Sequence, residues 1–253
     1  MPERIFTLPR ILAHRGLHVS APENTLSAFA AAAAAGARWI ELDVMLSSDH
    51  VPIIFHDDAL ERVTNGCGLV AKQSLLALQQ LQVCHQSAID VIPSLVQLLD
   101  YIALTDLSFN LEIKSNSLGD ALTCQHILAV LKTHSAVPCL LKEQRLFVSS
   151  FSRVVVEFFA QQAPQIPRAY LLDGMQPDAF QFARAQGCVA VNFWAQMPDA
   201  EQFLTEALAV GMPTLCFTVD EVMEANHWFT KGVTGVFSNN AACYALSQQR
   251  EDV

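Results

Sequence analysis

Short apolar runs alternate with longer helical patterns along nearly the whole chain, and this rhythm restricts the fold more than any other feature. The runs are Arg10–Ala13, Trp39–Val44, Leu107–Ile113, Leu146–Ser150, Arg168–Leu172, Val189–Asn192, Thr214–Val219 and Gly235–Phe237. Between and after them lie the helical patterns Thr25–Ala35, Ser94–Ala103, Gly119–Thr133, Arg153–Gln162, Asp178–Gln186, Ala200–Ala209, Glu221–Thr230 and Ala241–Gln249. Strands covered on both faces read as continuous apolar runs, and a helix returning the chain to the same edge makes such strands parallel. Eight strand–helix units in 253 residues match a closed (β/α)8 barrel. An open doubly wound sheet would carry a glycine-rich phosphate loop after its first strand, and His14-Arg15-Gly16-Leu17 is not one. The expectation is an α/β chain folded over residues 1–253 as one TIM barrel; with 52% hydrophobic and 16% charged residues, there is ample material for its core.

One interval breaks the rhythm. More than sixty residues separate Val44 from Leu107, too many for one helix and its loops. Val51–Phe55 reads as an extension strand reached through Ser47-Ser48-Asp49-His50, and a polar, turn-rich stretch follows. Residues of about 57–92 are therefore expected to form a small insertion over the barrel mouth.

The formal net charge of −10 offers no basic stripe for nucleic acid or anionic membrane. The N-terminus lacks a long apolar signal segment, and no apolar run reaches the ~18 residues of a membrane span. Seven single cysteines without a CxxC read as buried free thiols in a reducing compartment. A cytoplasmic protein without stable membrane insertion is expected. A dimer is compatible with the sequence, although no sequence feature supports one.

Active sites of such barrels form at the carboxyl ends of the strands. There the first strand runs into His14-Arg15, and the second carries Glu41 and Asp43 two apart, on one face. The extension ends at His56-Asp57, and the third strand places Glu112 and Lys114 two apart. Converging buried carboxylates repel one another. A divalent cation, Mg²⁺ or Ca²⁺, held by Glu41, Asp43 and Glu112 would relieve this; a structural network with Arg15 and Lys114 is the competing explanation. His14 and His56 fit a general acid–base pair, because histidine titrates near neutrality. Arg15 and Lys114 could supply fixed charges for phosphate oxygens. His18, His50, His85, His126, His134 and His227 read as ordinary loop or helix residues.

His14-Arg15-Gly16, Pro22-Glu23-Asn24-Thr25, Glu41-Leu42-Asp43, Pro52 to His56-Asp57, Glu112-Ile113-Lys114 and Ser149-Ser150-Phe151 together resemble the signature of the glycerophosphodiester phosphodiesterases. His56-Asp57-Asp58, Leu60-Glu61-Arg62, Asn65-Gly66 and Leu171-Leu172-Asp173 are similar to the cytoplasmic bacterial enzymes in particular. The resemblance implies metal-dependent hydrolysis of a small glycerophosphodiester to sn-glycerol 3-phosphate and an alcohol. It implies Glu41, Asp43 and Glu112 as metal ligands, His14 and His56 as acid and base, and Arg15 and Lys114 as phosphate contacts. Glu23 would shape the first loop and touch the site, and Phe217 would stand at the substrate.

The second half departs from the family pattern. Where the family shows Thr-Val-Asn near strand seven, this chain has Thr218-Val219-Asp220; where it shows Thr-Asp after strand eight, this chain has Ser238-Asn239. Two other functions stay open on the sequence. One is a related barrel phospholipase acting on lysophospholipids or sphingolipids, with Phe151, Phe193, Trp194 and Phe217 as an apolar rim. The other is a non-catalytic phosphate- or metabolite-binding barrel.

Overall fold

A computed structural model describes residues 6–114 and 116–242. The chain runs β1 (Ile11–His14), α1 (Leu26–Ala34), β2 (Trp39–Leu46), β3 (Pro52–Ile54), α2 (Leu75–Leu78), β4 (Val83–His85), β5 (Ala88–Asp90) and α3 (Leu95–Ala103). It continues through β6 (Ser108–Ile113), α4 (Asp120–Thr133), α5 (Val137–Lys142), β7 (Leu146–Ser150), α6 (Arg153–Gln162) and β8 (Arg168–Leu172). The last elements are α7 (Ala179–Ala185), β9 (Ala190–Trp194), α8 (Ala200–Ala209), β10 (Thr214–Phe217), α9 (Val222–Lys231) and β11 (Gly235–Ser238). Of the helix expected over Ala241–Gln249, all but the first two residues lie outside the described residues, as does Cys243.

Eight parallel strands close into the expected barrel in the order β1, β2, β6, β7, β8, β9, β10, β11, with β11 pairing back onto β1. Side chains alternate across each strand, and the alternation sorts the sequence. Ile40, Leu42 and Val44 of β2 and Phe109, Leu111 and Ile113 of β6 turn outward into one apolar layer with α1, α3, α4 and α6. Glu41, Asp43, Asn110 and Glu112 are thereby directed into the barrel. The interior is packed, not hollow: Leu12, Phe147, Ala169, Ala190, Leu215 and Phe237 meet from six strands. Phe6 and Trp39 pack on Phe147 with ring centroids 5.7 Å away and close the amino-terminal end.

The helices start where the sequence supplies caps. Thr25 accepts from the Ala28 amide at the start of α1, and Ser94 forms a capping box with Gln97 ahead of α3. Helix α5 was not anticipated; six residues with a proline near its start give too little periodicity to stand out.

Strand β2 outruns its expected end and turns at His50 (φ 62°), and β3 returns antiparallel with Ile54 beside Val44. Beyond it a 3-10 turn (Val70–Lys72), α2 and the β4–β5 ribbon pack over a small core of Met45, Ile53, Phe55, Leu60, Val70, Leu78, Val83 and Ile92. The ribbon is tied to α1 and to the loop before it: Ser27 N donates to Asp90 Oδ2 (3.0 Å), and His85 Nε2 to the Val19 carbonyl (3.3 Å). Cysteine burial differs from expectation: all six described thiols are free, but Cys67, Cys84 and Cys139 are exposed, in loops and on short elements that the barrel does not cover.

Candidate active site

Barrel closure brings the charged strand ends together. His14 is the register partner of Glu41 across β1 and β2, and Asp43 that of Glu112 across β2 and β6. After His14 the chain takes two left-handed residues, Arg15 (φ 55°) and Gly16 (φ 80°). Glycine is required at the second, because a Cβ there would lie 2.8 Å from the Ala28 backbone of α1. This tight turn aims the Arg15 amide at Glu41 Oε2 (3.0 Å). Asn24, also left-handed (φ 56°), brackets Asp43: its Nδ2 donates to Oδ2 (2.8 Å), and its Oδ1 accepts from the Asp43 amide (3.1 Å).

One ligand oxygen each from Glu41, Asp43 and Glu112 lies within 4.8 Å of the others, and no other such group of three acidic, His or Cys side chains occurs among the described residues. The protein supplies two cations against them. Lys114 Nζ is 3.3 Å from Glu112 Oε1 and 3.8 Å from Asp43 Oδ1, and Arg15 Nε is 3.5 Å from Asp43 Oδ2. Arg15 is shared, since its Nη1 donates to Glu23 Oε1 (2.9 Å). The balance stays negative. Burial, then the charge of Asp43, pushes the Glu112 carboxyl up to about 7. Burial, then Asp43 and Glu112, raises Glu41 well above the usual carboxylate range. Glu41 Oε1 is moreover buried without a hydrogen-bond partner. Three convergent hard oxygen donors, one of them orphaned, fit a Mg²⁺- or Ca²⁺-type cation.

The two histidines flank this cluster. Strand β3 carries His56 back to it, with the Phe55 amide on the Asp43 carbonyl (3.0 Å). His56 Nδ1 donates to Asp57, whose carboxylate is gripped by Arg62 (Nε to Oδ2, 2.5 Å). Arg62 also holds both oxygens of Glu23 (2.7 and 2.8 Å). Burial alone would raise the Glu23 and Asp57 carboxyls; hydrogen bonds from Arg62 reverse this and hold each at about 2. On the other side His14 Nδ1 donates to Asn239 Oδ1 (2.7 Å), and its Nε2 is 3.8 Å from Glu41 Oε2. Burial, with the charge of Arg15, lowers the His14 imidazole to about 4.

His14, Glu41, Glu112, Leu171, Phe217 and Phe237 line a small cavity at the barrel mouth. An open groove of about 370 Å³ shares Glu112 with it and adds Lys114, Ser150, Phe151 and Ser152. Phe151 and Trp194 are each about 40% exposed at this rim, with the Phe151 ring 5.8 Å from Phe217. Phe193 is not part of the rim: it points outward and is fully buried against Phe203 and Trp228. Neighbours on a strand face opposite ways, so Trp194 and Phe193 could not both line the mouth.

All nine residues singled out in the sequence (His14, Arg15, Glu23, Glu41, Asp43, His56, Glu112, Lys114 and Phe217) thus meet at one end of the barrel. Glu23 reaches the site through guanidinium groups, which engage both of its oxygens. Sequence reasoning gave His18 an ordinary loop role, yet its Nε2 shares Asn239 Oδ1 with His14 (2.7 Å). The participation of Arg62, Asp220 and Asn239 was also missed. The signal available for the last two was their departure from the family pattern.

The glycerophosphoryl diester phosphodiesterase family model matches residues 14–242. The chain belongs to this family. It is 31% identical over 236 residues to a glycerophosphodiester phosphodiesterase of Caldanaerobacter subterraneus subsp. tengcongensis, covering 91% of this chain and 93% of that one. A glycerophosphodiester phosphodiesterase of Bacillus subtilis is 26% identical over 94% of this chain and 84% of its own. Among solved structures, an Oleispira antarctica phosphodiesterase in complex with the product sn-glycerol-3-phosphate superposes with a TM-score of 0.84 at 30% identity, covering 97% of this chain and 98% of that one. With the glycerophosphoryl diester phosphodiesterase family comes the enzyme class, a phosphoric diester hydrolase, and the carboxylate cluster described above lies within its matched span.

Proposed function

We propose that the protein hydrolyses small glycerophosphodiesters to sn-glycerol 3-phosphate and an alcohol, with a divalent cation on Glu41, Asp43 and Glu112 and with His14 and His56 as the acid–base pair. The observation that carries this reading is the placement of the two histidines. Each stands beside the carboxylate cluster with Nδ1 already engaged, by Asn239 and Asp57 respectively, so that Nε2 is the nitrogen available for proton transfer. The product bound by the Oleispira relative agrees in chemistry.

The bound cation would polarise the phosphoryl oxygens and offset charge developing on them. Arg15, through its planar fork, and Lys114, as a point charge, hold the remaining phosphate oxygens. One histidine takes a proton from the attacking oxygen, either water or the substrate's own glycerol hydroxyl. As the new P–O bond forms and the bond to the alcohol breaks, the other histidine protonates the departing alkoxide. Attack by water gives sn-glycerol 3-phosphate directly; attack by the glycerol hydroxyl gives a cyclic glycerol phosphate, which water then opens to the same product as the second histidine takes a proton from the water and the first returns its proton to the glycerol oxygen. Surface thiols left free at Cys67, Cys84 and Cys139 support a reducing compartment, and the cytoplasm is the location proposed.

The test is release of glycerol 3-phosphate from glycerophosphocholine and glycerophosphoethanolamine, with EDTA and with added Mg²⁺ or Ca²⁺. Cation-dependent release is expected. The exposed Phe151 and Trp194 make lysophospholipids the comparison substrates: turnover of these alone would replace the proposed substrate class. No turnover of either would return the protein to a binding role.

A further inference from the structure

Asp220, beyond β10, and Asn239, beyond β11, are bonded to each other. The Asn239 amide N–H donates to Asp220 Oδ1 (2.7 Å), its Nδ2 to Asp220 Oδ2 (2.9 Å), and Ser238 Oγ also donates to Oδ1 (3.2 Å). A carboxylate only accepts, so the Asn239 side-chain NH₂ must face Asp220 and its Oδ1 must face the other way. That oxygen lies 2.7 Å from both His14 Nδ1 and His18 Nε2. An amide oxygen cannot donate, so both rings must present N–H to it, and the neutral His14 ring is fixed with its lone pair on Nε2.

Exchanging the two residues would again leave an accepting oxygen toward His14. Asp with Asp would set two carboxylates face to face. Asn with Asn would leave the amide orientation undetermined.

We infer that Asp220 and Asn239 are positioning residues that act as one unit: Asp220 sets the orientation of the Asn239 amide, and the amide sets the tautomer and direction of the His14 ring. The consequence for turnover rests on the proposed role of His14; the consequence for the tautomer does not. Because only the orientation of an amide is at stake, the pair can be exchanged without altering its shape.

The experiment uses cation-saturated, ¹⁵N-histidine-labelled protein, with the His14 ring assigned by its absence from His14→Gln. Wild type is expected to show Nδ1–H on neutral His14. In Asp220→Asn the amide can flip and present its NH₂ to the rings. The Nε2–H tautomer should then appear and kcat fall about 10–10²-fold, the usual cost of removing such an outer-shell partner, with KM little changed. Combining Asp220→Asn with Asn239→Asp should restore the Nδ1–H tautomer and most of kcat. Asn239→Ala, a truncation at a half-buried position, provides a second route to the same tautomer loss. An unchanged His14 tautomer in Asp220→Asn and Asn239→Ala would overturn the inference, as would a double variant no better than Asp220→Asn. A tautomer that responds while turnover does not would leave the positioning intact and reject His14 as the acid or base.

Discussion

Asp43 of β2 and Glu112 of β6 stand side by side in the parallel ladder, with the Lys114 ammonium 3.8 Å from an oxygen of the first and 3.3 Å from one of the second. With Glu41 they put three carboxylates against two cations, one of which is already shared with Glu23. The surplus charge sits where water is excluded, so the cluster costs stability unless a cation occupies it.

Cation binding should therefore stabilise the fold as well as support turnover. Added Mg²⁺ or Ca²⁺ is expected to raise Tm of EDTA-treated protein, by roughly 2–4 °C for each kcal/mol of binding linkage in a chain of this size. Glu112→Gln should lose this response and melt no lower than wild type in EDTA, because the neutral amide removes repulsion from a site that then lacks its third anionic ligand. A cation-induced rise of wild-type size in Glu112→Gln would reject Glu112 as a ligand. Differential scanning calorimetry reads both effects.

The histidines should be separable from the fold. His14→Ala and His56→Ala are each expected to lower kcat/KM by about 10²–10⁴-fold while circular dichroism stays unchanged. Near-wild-type turnover in either variant would remove that residue from the proton-transfer pair.

Arg62 ties His56 to Arg15 through Asp57 and Glu23 and should set the acid limit of the fold. Glu23 and Asp57 have ordinary values of 4.5 and 3.8, and each is held at about 2 in the folded chain. Depressed values mean that their contribution is fully present above the unfolded-state values and is lost as pH falls toward 2. Arg62→Ala should move acid unfolding to higher pH. Arg62 is half exposed, so solvent screening limits the effect at neutral pH to about 1 kcal/mol. An unchanged acid midpoint in an equilibrium pH titration would contradict this.

Gly16→Ala should cost more than an exposed glycine replacement. Its φ of 80° and the 2.8 Å approach to the Ala28 backbone combine a conformational penalty with a clash. A loss of about 1–3 kcal/mol is expected by urea unfolding. Because the same turn aims the Arg15 amide at Glu41, turnover should fall too. A variant as stable as wild type would show that the turn can relax.

The sequence by itself determined the barrel and the inward-facing charges. The spacing of Glu41 with Asp43 and of Glu112 with Lys114 places each pair on one face, whatever the rest of the chain does, because strand side chains alternate with period two. The repeated strand–helix alternation required parallel pairing, and with it one shared carboxyl end. Tertiary structure decided which of these ends touch. His14 and Asn239 are 225 residues apart and meet only because β11 closes onto β1. No local periodicity records that contact, so His18 looked ordinary, and Asp220 and Asn239 stood out only as departures from the family pattern. The separation of Phe193 from Trp194, by contrast, follows from strand alternation alone and was open to the sequence, which nevertheless grouped both at the rim. Arg62 reached Glu23 only once the segment after β3 had folded over the first loop. Periodicity reports the direction in which a side chain points, whereas the partner it meets depends on register and closure, which belong to the assembled sheet.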